Sequence, residues 1–233
     1  QFRPGGGILY LNVGYTSIRA RRIEQRIREL IEDRTITIED LKSIQADQVL
    51  PDAQVFVPYL LSAWDAAGSE TAHSLLAALS EDPSLAEAVT RLSHWDFSAP
   101  TGLAEGYDPG DDPESLPAPD PQEIEQSVAA TLYTLWRSRL IANTIDSTLD
   151  SIGLAEHVPD SERSLSALRH LLETYDSNHG NGASGIHFFH AEGIEEPENA
   201  RNYVLLTSLR DALDQLASND FAPAFGGSTD QNE

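Results

Sequence analysis

The sequence predicts a mainly α protein with a single strand near its start, and three patterns carry that reading. Ala20, Ile23, Ile27, Leu30 and Ile31 recur at three- and four-residue spacing, the apolar stripe of an amphipathic helix over 18–32. Ile124, Val128, Leu132, Leu135, Trp136, Leu140, Ile145 and Leu149 form a broader face along the longest pattern, from Glu123 to about Ser151. The best strand signal is "GILYLN" at 7–12, a short apolar run with β-branched and aromatic members.

The remaining elements follow in order. Thr37 with Asp40 reads as a capping box opening a short helix, "IEDLKSIQAD". After Pro51 and Asp52, "AQVFVPYLLSAW" is apolar enough for a buried helix, with Pro58 confined to its first turns or kinking it. "SETAHSLLAALS" and "SLAEAVTRLSHW" predict two shorter helices divided by Asp82-Pro83. "SERSLSALRHLLETY" predicts another, and a Gly- and Asn-rich loop from Ser177 to Gly185 leads into "IHFFH". In the last helix, "ENARNYVLLTSLRDALDQLAS", the spacing turns Tyr203, Leu206, Leu209 or Leu213, and Leu216 inward. The resulting division is a strand and loop at 1–17, helical regions at 18–97 and 122–218, a Pro-, Gly- and Asp-rich loop at 98–121 between them, and a tail at 219–233.

Composition narrows the functions open to this chain. The 233 residues include 38 Asp+Glu against 15 Lys+Arg, a net charge of −23 that opposes binding to nucleic acid or anionic lipid. Cysteine is absent, which excludes disulfides, thiolate nucleophiles and Cys-ligated zinc. No apolar run approaches the roughly 20 residues of a membrane span. The chain starts at Gln1 and contains no Met, and it reads as a piece of a larger protein.

Most local constellations favour a bland explanation. His187 and His190 flank two Phe residues and are spaced to share a metal, but no third and fourth ligand stand at recognisable spacing. Exposed imidazoles around buried rings is the preferred reading, and no metal is assigned. Asp108, Asp111, Asp112 and Glu114 lack EF-hand spacing and read as a solvated acidic loop. No G-x-S-x-G elbow, P-loop or dinucleotide fingerprint occurs, although an internal Ser/His/Asp set is not fixed by sequence order. Six of the fifteen basic residues fall between Arg19 and Arg34, and most suit a solvated helix face balanced by its own Glu residues.

Four collinear blocks go further: "GYTSIRARRIEQRIREL", "TIEDLKSIQADQVLPDAQVFVPYLLSAW", "LSHWDFSAPTGLAEGYD" and "EIEQSVAATLYTLWRSRL". Together they resemble the penicillin acylase (penicillin amidase) family of N-terminal nucleophile hydrolases, from about Gly5 to about Ala217. The Arg-Ala-x-Arg-Ile block at Arg19, the Gln-Ala-Asp block at Gln45 and the later Trp-Asp at Trp95 carry the likeness to that family's large β chain. The resemblance implies the helical part of a four-layer αββα fold, with the strand at 7–12 belonging to its sheet.

It also implies chemistry. The family cleaves amides with an N-terminal Ser, exposed by self-cleavage of a precursor, whose own α-amino group is the base. That is sensible because an α-amine titrates near 8 rather than near 10. By resemblance Asn12 supplies the oxyanion-hole amide, and Arg19 organises the active site. The implied partners are the rest of the β chain and the α chain of the same precursor, with a small N-acyl amide as substrate: a penicillin, an acyl-homoserine lactone or an acyl-peptide. The implied location is periplasmic or extracellular. No cofactor is implied, although a structural calcium is possible in the complete enzyme.

Three departures stand beside the likeness. Gln1 is not a Ser, Thr or Cys, so the nucleophile is expected elsewhere. Only six residues separate Asn12 from Arg19, where the family runs a longer loop that often carries a calcium ligand. "FAPAFGGSTDQNE" replaces the family's usual continuation after the last helix. The competing expectation is a non-catalytic helical binding or scaffold protein, a degenerate relative of the same family.

Overall fold

The computed structural model describes residues 18–31, 35–100 and 120–221. The strand expected at 7–12, the acidic residues 108–114 and the tail from 222 lie outside them. The chain divides into two compact units between Asp52 and Ala53.

The first unit holds two helices. Helix α1 (Ile18–Ile31) forms where the stripe was read, although Ala20, Ile23 and Ile31 of that stripe are exposed and only Ile27 and Leu30 half-buried. Helix α2 (Ile38–Gln45) starts where the capping box was read. The Thr37 hydroxyl accepts from the Asp40 amide, and the Asp40 carboxylate accepts from the Thr37 amide at 2.8 Å. Two backbone donors that a helix start leaves unpaired are thereby satisfied.

The second unit is helical throughout its described residues. Its elements are α3 (Ala53–Ala67), α4 (Ser74–Ser80), α5 (Pro83–Ser93), α6 (Pro121–Ile141), α7 (Ser147–Ser151), α8 (Ser161–Glu173), α9 (Tyr175–Asn178) and α10 (Pro197–Leu216). Helix α10 packs chiefly on α6 and α3, and α5 closes against α6 and α3. Among the described residues no strand forms; an isolated antiparallel bridge joins Asn181 to His187.

Local chemistry sets the helix starts. Asp82 accepts from the Ser84 amide at 2.8 Å and Pro83 takes the first helical position of α5, where no amide donor is needed. Asp120 and Glu123 form a second capping box at α6, again with Pro at the first position. Pro58 lies in the second turn of α3 on its exposed side, so the hydrogen bond it forfeits to Gln54 faces water. The buried residues of α3, namely Ala53, Phe56, Val57, Leu60, Ala63 and Ala67, occupy the opposite stripe.

The structure corrects several boundaries and faces. Helix α4 begins at Ser74 rather than Ser69, because Ser69 to Ala72 close a turn (Ala72 amide to Ser69 carbonyl, 3.1 Å) and His73 caps the helix through its ring nitrogen. The long pattern from Glu123 to Ser151 is interrupted by a π-helical turn at Ala142–Asp146. In that turn Asn143 donates to Ser208 at 3.1 Å and to Asp211 at 2.8 Å, both on α10. A π-turn admits an extra residue into the helix, which here is tied polar-to-polar to the neighbouring helix. Ile124 and Val128 are exposed, and the buried face of α6 instead runs through Ala129, Leu132, Tyr133, Trp136 and Leu140.

Helix α10 is buried on two sides, which explains a further difference. Val204, Leu205, Leu206, Leu209 and Ala212 are all buried, together with Ser208 and Asn202. Tyr203, Leu213 and Leu216 are only half-buried. A helix between two neighbours has no single inward stripe, so a one-face reading misplaces its edges.

The core centres on aromatic rings. Trp136 is fully buried, donates its indole N–H to the Leu205 carbonyl at 3.0 Å, and lies 6.0 Å from the Tyr133 ring, which in turn lies 5.4 Å from Trp95. At the other end Tyr175 meets Phe189 edge-on at 5.5 Å and donates to the Pro197 carbonyl at 2.6 Å. Burial pushes the Tyr175 hydroxyl up to about 12, while Arg201 stacks over its ring at 4.6 Å.

Candidate active-site region

Both predicted site residues belong to the first unit or its leading segment. Asn12 and the Arg19 side chain lie outside the described residues. The Arg19 backbone does not: it is the second residue of α1.

The described part of this unit contains a half-buried charge cluster that links two of the family-like blocks. From the Arg-Ala-x-Arg-Ile block, Arg22 reaches Asp47 of the Gln-Ala-Asp block. Its Nη2 donates to Oδ2 at 2.8 Å, and its Nε lies 3.1 Å from Oδ2 and 3.2 Å from Oδ1. Arg26 places its Nε 3.2 Å from the same Oδ2. That nitrogen is buried and its N–H is not aligned on the oxygen, so the contact is electrostatic rather than a hydrogen bond. Oδ1 also accepts from the Val49 amide at 3.1 Å. The side chains of Arg22 and Asp47 are only 15% and 10% exposed, where water screens the pair little.

The other ion pairs of α1 differ in kind. Arg28 with Glu24 and Arg26 with Glu29 lie within the helix, and Arg28 is 74% exposed. These are the solvated pairs the sequence predicts. Glu29 is held below the usual carboxylate range by hydrogen bonds from Arg26 and Gln25. The Arg22–Asp47 pair was missed because residues 25 apart show no spacing signal, although both stand in the quoted motif blocks.

In the second unit an open cleft of about 470 Å³ lies between α5 and α6, lined by Thr90, Arg91, His94, Trp95, Glu125 and Gln126 among others. Its imidazole and amide are already engaged. The His94 Nδ1 lies 2.8 Å from the Thr90 carbonyl, and the Gln126 carbonyl oxygen accepts from the Asp96 amide. Ser93 approaches the same imidazole nitrogen at 3.3 Å, but its hydroxyl donates to the Thr90 carbonyl at 2.8 Å. A serine whose neighbouring imidazole nitrogen is spent on a carbonyl is not activated as a nucleophile.

His187 and His190 do come together, with ring centroids 5.0 Å apart. His187 is half-buried, and burial together with His190 lowers its pKa, against an opposing effect of the His179 backbone. Phe189 between them is fully buried, Phe188 half-buried and His190 exposed. Among the described residues no group of three or more His, Asp or Glu is arranged to hold a metal ion. The acidic residues Asp108, Asp111, Asp112 and Glu114 lie outside the described residues. No helix among the described residues is long and apolar enough to cross a membrane.

Asp146, in the π-turn, was not anticipated. Its Oδ1 is buried without a hydrogen-bond partner, and burial raises the carboxyl above its ordinary value. Among the described residues it belongs to no group of three or more His, Asp or Glu that could hold a metal ion.

Comparison with known proteins then places the whole arrangement. No curated protein and no solved structure matches the chain. The family model described as penicillin amidase matches residues 4–230, a span that includes Asn12, Arg19, the Arg22–Asp47 pair and the second unit through α10. The chain therefore belongs to the penicillin amidase family.

Proposed function

We propose that this chain is part of an amidohydrolase that cleaves an N-acyl amide through an acyl-enzyme. The observation that carries the reading is the family match over residues 4–230, which spans Asn12 and Arg19 together. The ion pair between the two family-like blocks supports it, because it gives α1, and so the Arg19 backbone, a fixed attachment to the chain around Asp47.

The reaction runs on an N-terminal Ser carried outside these 233 residues. Its hydroxyl oxygen attacks the amide carbonyl while its own α-amino group takes the hydroxyl proton. The Asn12 side-chain N–H donates to the oxyanion that forms. An amide suits this role, since it stabilises negative charge without holding a proton that can be lost. Collapse breaks the carbon–nitrogen bond, and the amine leaves with the proton. Water then attacks the ester, releasing the carboxylic acid and restoring the hydroxyl. Arg19, a fixed guanidinium, orients Asn12 or the chain terminus through its hydrogen-bonding fork.

The substrate is an N-acyl compound of the penicillin, acyl-homoserine lactone or acyl-peptide type. The partners are the remaining β-chain segment and the α chain of one precursor, in a periplasmic or extracellular setting. Incubating the complete, processed protein with chromogenic N-acyl anilides tests the reading. Turnover with release of the aniline is expected. A complete protein that binds these amides and hydrolyses none of them is a scaffold, and the reading is then wrong.

A further inference from the structure

We propose that Asp47 is a positioning residue for the amidase reaction, fixing the orientation of α1, the helix whose second residue is Arg19. The proposal rests on the functional reading above and extends it to a residue that touches no substrate.

Helix geometry places Arg19 with the clamp. At 3.6 residues per turn, positions 19, 22 and 26 fall within an arc of about 60° on α1. The face that Asp47 holds is therefore the face on which Arg19 is placed. One carboxylate receives both guanidiniums: the Arg22 fork at 2.8 and 3.1 Å on Oδ2, and the Arg26 Nε at 3.2 Å on the same oxygen. Contacts from two successive turns of the helix oppose its tilt as well as its rotation relative to Asp47.

Asp47 is itself fixed. It follows α2 by two residues, and its Oδ1 is held by the Val49 amide at 3.1 Å. The pairs Arg28–Glu24 and Arg26–Glu29 are intrahelical and set no orientation relative to another element. Arg22 and Arg26, by contrast, both reach out of α1 to Asp47.

The test uses the complete, processed amidase and steady-state hydrolysis of a chromogenic N-acyl anilide, well below each variant's Tm. Asp47→Asn keeps the shape and removes the charge. It is expected to lower kcat by about tenfold or more with KM within about twofold, since a small misplacement remote from the chemistry is expressed in turnover. Thr37→Ala is the structural control: it loosens α2 without touching the clamp, and is expected to lower Tm while leaving kcat unchanged. Should Asp47→Asn fail to fold, Arg22→Lys keeps the charge and removes the fork, with the same expected kcat loss.

The proposal is overturned if the Asp47 or Arg22 variant retains kcat within about twofold, or if Thr37→Ala loses as much kcat at an equal drop in Tm. Asn12→Ala, run in parallel, separates the two levels. Full activity in Asn12→Ala overturns the functional reading together with the positioning role. An inactive Asn12→Ala beside a fully active Asp47→Asn overturns the positioning role alone.

Discussion

Arg22 and Asp47, 25 residues apart in sequence, form a two-pronged ion pair at 2.8 and 3.1 Å in which neither side chain is more than 15% exposed. Its two halves are not equivalent in a mutational test. Asp47→Ala leaves the half-buried Arg22 guanidinium without its counter-charge, while Arg26 keeps Glu29, and is expected to cost about 2–4 kcal/mol. Arg22→Ala leaves Asp47 with Arg26 and the Val49 amide, and is expected to cost roughly half as much. Urea unfolding of the two variants measures the asymmetry; equal costs would mean that Arg26 contributes nothing.

Phe97 has φ of +67°, in the left-handed region that a bulky side chain rarely enters. Its ring lies 5.4 Å from Trp95, and the turn is closed by the Asp96 carboxylate accepting from the Ser98 amide at 2.8 Å. Phe97→Ala and Phe97→Gly both lose the ring contact, but only glycine relieves the backbone. The glycine variant is expected to be more stable than the alanine variant by about 1 kcal/mol, read from denaturant midpoints.

Two glycines with almost the same backbone angle make a matched pair. Gly180 at φ +81° would bring a Cβ to 3.0 Å from Phe189, 3.2 Å from His187 and 3.3 Å from Tyr175. Gly153 at φ +78° has nothing within 4 Å. Gly153→Ala is expected to cost about 1 kcal/mol, the backbone term alone. Gly180→Ala adds displacement of buried aromatic rings, bringing the cost to about 2–4 kcal/mol. Thermal melts of the two variants side by side check the difference.

Acid is expected to weaken the segment around the Asn181–His187 bridge. Burial and His190 lower the His187 pKa in the folded chain, so the unfolded chain binds more protons at mildly acidic pH. The resulting stability is fully present above the unfolded value of about 6.5 and is lost as pH falls through the lower folded value. Tm is therefore expected to drop between pH 7.5 and pH 5.5, and His187→Gln is expected to flatten part of that drop. An identical slope in the variant would place the pH dependence elsewhere.

The fold was legible where local chemistry decides it. Thr37 and Asp40 announce α2 through a capping box, and Asp82-Pro83 marks the break before α5, because each signal involves neighbours in sequence. Asp120-Pro121, read as the end of a loop, in fact starts α6. It was illegible where distant residues decide. The π-turn at Ala142–Asp146 is tied to Ser208 and Asp211, and the two-sided burial of α10 depends on α3 and α6 at once. In the site region, Arg19 and Asn12 were named from family blocks rather than from spacing. Asp47 stood unremarked inside one of those blocks because its partner lies on another helix.

The claim at the centre of this account is that Asn12 is the oxyanion donor of an amide hydrolase. Replacing Asn12 with Ala in the complete, processed protein, and following acid and amine release from an N-acyl substrate, tests it most directly. The account predicts a kcat loss of about 100- to 1,000-fold with the circular dichroism spectrum and Tm preserved. Amide hydrolysis by Asn12→Ala at close to the unmodified rate would contradict it.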